Sequence, residues 1–141
     1  MINREFIENK LYLLRGYYNE LEEILKHRDK KIKSDVILLR ALERILQLIV
    51  DEMLDINKHI IKYTNLEVPE DFQGSFYVLG KSGILEKDFA MNIAPVVGLR
   101  NRIVHRYEKV NIDKLIGEVR RGRNDFKTYV KMIMEYMDKL E

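Results

Sequence analysis

The chain contains no cysteine, which excludes a disulfide framework and any thiolate metal site. Prolines number two and glycines seven in 141 residues, so little in the sequence interrupts helices. No long apolar run is present either. The longest, "IAPVVGL", falls far short of the roughly 20 residues a membrane span requires. The N-terminal "MINREFIENK" is charged and lacks the apolar centre of a secretory signal, so a cytoplasmic protein with no membrane contact is expected. Charge of one sign is also missing. With 25 basic and 23 acidic residues the net charge is +2, too small to argue nucleic-acid binding from the whole chain. Any contact with RNA has to come from local clustering.

What is present is apolar residues at 46%, charges at 34%, and helical spacing throughout, which together read as one folded all-α domain over residues 1–141. The first helix is expected from about Asn3, its N-cap, to about His27. Its stripe is Ile7, Leu11, Leu14, Tyr18, Leu21 and Leu25. "HRDKKIKSD" reads as a charged connection, with Ser34 capping a long second helix from about Asp35 to about Tyr63. On that helix Leu38, Leu42, Ile45, Ile49, Met53, Ile56 and Ile60 form one stripe, and Ala41, Leu48, Leu54 and Ile61 widen it. A helix apolar over so much of its circumference is central in a bundle or shared with a second subunit. A short third helix follows Pro69, carries Phe72, Phe76 and Leu79, and ends at Gly80 and Gly83. A fourth, from about Glu86 to about Tyr107, is kinked by Pro95. The fifth runs from "EKVN" to the end, with Gly122 loosening it midway. The expected architecture is an up-and-down bundle of about five helices.

The chemistry concentrates in "RNRIVHRY", residues 100–107. Phe89, Ile93, Val96, Val97, Ile103 and Val104 mark a buried stripe, and Arg100 falls within it. A guanidinium there keeps its charge and must meet an anion, a water-filled cleft or another subunit. Asn101 and His105, four apart, share a helix face; Tyr107 lies two turns beyond Arg100; Arg102 and Arg106 add positive charge beside them. Histidine exchanges protons near neutral pH. Arginine grips a phosphodiester and stabilises charge developing on it. In principle those two groups suffice for RNA cleavage by the substrate's own 2′-hydroxyl, with no metal and no cofactor, while Asn101 orients the phosphate or the imidazole. On composition alone, though, an Arg–His–Tyr set is more often a hydrogen-bonded helix junction than a catalytic site.

"GLRNRIVHRYEKVN" resembles the signature of the HEPN superfamily, in its HepT-like toxin branch: an arginine, four residues, a histidine, any residue, then a tyrosine. Here these are Arg100, His105 and Tyr107, with Asn101 in the polar position that often follows the arginine. The likeness extends to the order of helices over nearly the whole chain. It implies a homodimer of HEPN-like bundles whose motifs face each other across a cleft. It also implies a metal-independent ribonuclease acting as the toxin of a type VII-like toxin–antitoxin pair. Arg100 and His105 would be catalytic, and Asn101, Arg102 and Arg106 would support the RNA phosphate. The implied partner is an MntA-like nucleotidyltransferase that silences the toxin by transferring AMP to Tyr107. The family also implies an alternative, a non-catalytic module that binds a nucleotide or its partner through the same cleft.

Three further features are weaker. Asp51, Asp55 and His59, four apart along the second helix, could present metal ligands, but a solvated strip or support for the cleft accounts for them better. His27 reads as exposed. "RRGR", Arg120 to Arg123, is a solvated face or a rim that steers phosphate.

Overall fold

The computed structural model describes residues 1–105 and 111–140, and among them every regular element is helical. There are seven: α1 (Arg4–Leu25), α2 (Asp29–Ser34), α3 (Val36–Tyr63), α4 (Phe72–Lys81), α5 (Lys87–Ile93), α6 (Val96–His105) and α7 (Ile112–Lys139). None of the described helices is long and apolar enough to cross a membrane.

Local chemistry sets the boundaries. Asn3 caps α1 as expected, its side chain accepting from the Phe6 amide. Asp71 and Asn111 cap α4 and α7 in the same way. The cap of α3 is Asp35 rather than Ser34, its carboxylate accepting from the Ile37 and Leu38 amides. The supposed connection before it holds α2, whose one buried residue, Ile32, pins it to the core. At the end of α4, Gly83 takes φ +85°, and the Ile84 amide donates back to the Leu79 carbonyl. Gly80 does not end the helix. It lets α4 and α5 approach, because a Cβ there would stand 2.6 Å from that of Ala90. α7 runs unbroken through Gly122.

α3 is the central element: α1, α2, α4 and α6 all pack on it, while α7 packs on α1, α2 and α5. The width of its apolar surface is therefore largely used within the chain. Leu42, Leu46, Ile49, Val50, Met53, Ile56 and Ile60 are wholly withdrawn from solvent. Each such side chain contributes roughly 1.5–3 kcal/mol by burial, and truncating one to alanine costs about 2–5 kcal/mol.

Pro95 divides rather than kinks the expected fourth helix. Without an N–H it cannot bond one turn back, so α5 stops at Ile93 and α6 starts afresh at Val96. The break leaves the helix bearing the motif short, packed on α3 and α4.

Candidate functional site on α6

With α6 starting at Val96, its buried side is formed by Val97, Leu99 and Ile103. Val104, expected in the stripe, is instead 38% exposed. It lies about 100° past Ile103 on an α-helix, which turns it outward. Arg100, four residues earlier on the same line, sits at the border of the buried face, its side chain 21% exposed.

The anion that Arg100 requires is Asp51 of α3. Arg100 Nε donates to Asp51 Oδ1 at 3.0 Å, and Nη2 lies 3.0 Å from the same oxygen. Nη1 donates to Asn101 Oδ1 at a longer 3.3 Å. Asn101 is half-buried; His105, one turn on, is exposed and is the last residue of α6. His105 is five positions on from Arg100, so an ideal helix sets them about 140° apart around the axis and about 7.5 Å apart along it.

Arg102 is turned to α7, where Nη2 lies 3.1 Å from Glu118 Oε2. Arg106 and Tyr107 lie outside the described residues. The structure thus brings together Arg100 and Asn101, places His105 at the exposed end of the same helix, and commits Arg102 to a neighbouring helix.

The strip on α3 is divided among separate partners. Asp51 holds Arg100, whereas Asp55 Oδ2 accepts from Lys10 Nζ at 2.8 Å. That hydrogen bond is the main cause holding the Lys10 ammonium above its ordinary range. His59 Nε2 accepts from the Asn3 amide at 3.0 Å, and its ring stacks on Phe6 at 4.6 Å. Partial burial and the nearby Lys62 lower its pKa, keeping the imidazole a neutral acceptor. Among the described residues no group of three or more His, Asp or Glu side chains is placed to hold a metal.

Arg120, in the "RRGR" run, is only partly exposed and is engaged by α1 and α2. Its Nε donates to Asp29 Oδ1 at 2.6 Å, Nη1 to the Leu25 carbonyl at 2.9 Å and Nη2 to the His27 carbonyl at 2.7 Å. The guanidinium clasps the end of α1 to the start of α2. Arg123 Nη1 approaches Glu22 Oε2 at 3.7 Å. The Arg100–Asp51 and Arg102–Glu118 pairs join residues 49 and 16 apart on different helices, which no spacing rule within one helix reaches.

An arginine on a carboxylate anchor can hold a phosphodiester, and an exposed histidine can exchange protons with hydroxyl groups of a substrate. The comparisons with known proteins place this helical chain in a ribonuclease family. Residues 14–133 match the family model described as "Ribonuclease HepT-like", and the chain belongs to this HepT-like ribonuclease family. It is similar to a tRNA nuclease HepT from Aphanizomenon flos-aquae, 32% identical over 96% of this chain and 92% of that protein. It is also similar to an mRNA nuclease HepT from Shewanella oneidensis, 25% identical over 92% of this chain and 96% of that protein. Among solved structures, a tri-AMPylated Shewanella oneidensis HEPN toxin in complex with its MNT antitoxin superposes with a TM-score of 0.87. That match is 24% identical and covers 94% of this chain and 99% of the other, which establishes a common fold.

Proposed function

We propose that the chain is a metal-independent endoribonuclease, the toxin of a type VII-like toxin–antitoxin pair, acting on RNA in the cytoplasm. The observation that carries the reading is Arg100: a guanidinium fixed at the edge of α6, one helix turn and a residue before an exposed histidine. Membership in the HepT-like ribonuclease family and the two nuclease relatives support it.

In this reaction His105 takes the proton of the 2′-hydroxyl, and that oxygen attacks the adjacent phosphorus. The bond to the 5′-oxygen breaks, a proton returns to the leaving oxygen, and the products carry a 2′,3′-cyclic phosphate and a 5′-hydroxyl. Arg100 neutralises the charge that builds on the phosphoryl oxygens. Asn101 orients the phosphate and Arg106 attracts it electrostatically, joined by Arg102 once it leaves Glu118. No metal enters any step.

The angular separation of Arg100 and His105 on one helix favours a homodimer, in which the motifs of two chains complete one cleft. The partner is an MntA-like nucleotidyltransferase, supported by the antitoxin bound to the structural neighbour, and the acceptor of AMP is Tyr107. Incubating purified protein with total RNA and tRNA, with and without EDTA, tests the reading. Cleavage indifferent to EDTA, with cyclic-phosphate ends, is expected. RNA left intact would favour a non-catalytic nucleotide- or partner-binding module. A sedimentation mass equal to one chain at micromolar concentration would remove the dimer.

A further inference from the structure

We infer that Asp51 is a positioning residue for Arg100: it holds the Nε–Nη2 edge of the guanidinium, so that the phosphate is received at Nη1 together with the amide of Asn101. The inference rests on the ribonuclease reading above and extends it to a residue outside the motif.

The geometry carries it. Nε donates to Asp51 Oδ1 at 3.0 Å and Nη2 lies 3.0 Å from the same oxygen, so this carboxylate holds that edge of the guanidinium in place. Asp51 comes from the long central helix, packed by four others, and so is itself a rigid support. The remaining contact is of a different kind. Among the described residues Nη1 reaches only the neighbouring Asn101 Oδ1, at 3.3 Å, the weaker and more easily exchanged of the bonds.

While Asn101 Oδ1 faces Nη1, the two hydrogens of its amide nitrogen remain as donors on the same small site. A phosphate that replaces the Nη1–Asn101 bond meets a guanidinium nitrogen and an amide donor at once. An ion pair serving only to join α3 and α6 has no need to leave one end of the guanidinium on so weak a bond. Nor is Asp51 interchangeable with its neighbours on the strip, since Asp55 is engaged by Lys10. Holding a long side chain in place before the substrate arrives removes the ordering cost from the reaction, and misplacement by about 1 Å can cost roughly a hundredfold in rate.

The test uses the full chain, with Asp51→Ala, Asp51→Asn, Arg100→Ala and the double variant Asp51→Ala/Arg100→Ala. Asp51→Ala should lower kcat for RNA cleavage by roughly a hundredfold with little change in KM. Asp51→Asn, which keeps an acceptor oxygen, should lose less. In the Arg100→Ala background, removing Asp51 should cost nothing further, because there is no guanidinium left to position. Unchanged or faster cleavage in Asp51→Ala, or losses that simply add in the double variant, would overturn the inference.

A second readout is independent of cleavage. In ¹⁵N NMR the Nε–H of Arg100 should give a resolved, slowly exchanging signal that Asp51→Ala abolishes. A wild type that leaves RNA intact yet shows this signal would refute the ribonuclease reading alone. A signal indifferent to Asp51 would refute the positioning role.

Discussion

Tyr129 Oη lies 2.6 Å from Asn57 Oδ1, and neither residue has any exposure to solvent. The hydroxyl donates to the amide oxygen and also stands 3.2 Å from the Met53 carbonyl. Asn57 Nδ2 then donates to Ser75 Oγ at 3.0 Å, and that hydroxyl donates to the Phe72 carbonyl at 2.7 Å. One polar chain therefore runs through the core from α7 across α3 to α4. Within it, burial pushes the Tyr129 phenol well above its ordinary pKa, so the group stays a neutral donor.

Tyr129→Phe should destabilise the fold by about 1–3 kcal/mol, because it leaves Asn57 Oδ1 buried without its donor. The melting temperature should fall by about 2–4 °C for each kcal/mol. Replacing both partners by apolar residues, as in Tyr129→Phe/Asn57→Leu, should recover part of the loss. A Tyr129→Phe variant that melts with the wild type would show that the chain is not under tension from polar satisfaction.

Arg100→Ala and His105→Ala should each reduce RNA cleavage by about 10²–10⁴-fold and abolish growth inhibition, with the helical circular dichroism unchanged. The expectation separates the roles. Loss of His105 removes proton transfer, whereas loss of Arg100 removes charge stabilisation and also strands the Asp51 carboxylate. Wild-type cleavage in either variant would remove that residue from the chemistry.

The long helices were legible because their stripes are long: α1, α3 and α7 lie close to where periodicity puts them, and Asn3 is the expected cap. Short elements carry too few apolar residues for a period to register. In α2 only Ile32 is buried, among lysines that read as a connection. Pro95 was visible, but whether a helix bends or stops there depends on packing by α3 and α4. The residues 100–107 were legible as a motif through their chemistry and through resemblance to the HEPN family. The carboxylate beneath Arg100 was only half legible: Asp51 stood out on its strip, and nothing in its spacing connected it to a residue 49 positions away.

Arg120 shows how a basic run misleads. Its three hydrogen bonds go to Asp29 and to the carbonyls of Leu25 and His27, so it secures the corner between α1 and α2. Arg120→Ala should destabilise the protein by about 1.5–3 kcal/mol, as removal of charge-assisted bonds does, while KM for RNA stays the same. Thermal melts and cleavage kinetics on the same preparation decide it. A raised KM with an unchanged melt would restore the phosphate-rim role.

Tyr107 stands two residues past His105, in the stretch outside the described residues, so the case for it rests on sequence and on what modification would do there. An AMP attached to its hydroxyl would bring bulk and a phosphate's negative charge next to the exposed end of α6. Both act against RNA: the added group occupies the path of the incoming strand, and its charge competes for the cations that would receive the scissile phosphate. Co-expression with a cognate nucleotidyltransferase should therefore add one or more AMP units to Tyr107 and suppress cleavage. Tyr107→Phe should escape that suppression, provided its cleavage without the partner remains near wild type. Peptide mass spectrometry of the co-expressed protein supplies the check. Tyr107 unmodified in a silenced complex would mean that the partner acts by binding alone, by covering the end of α6 without chemistry.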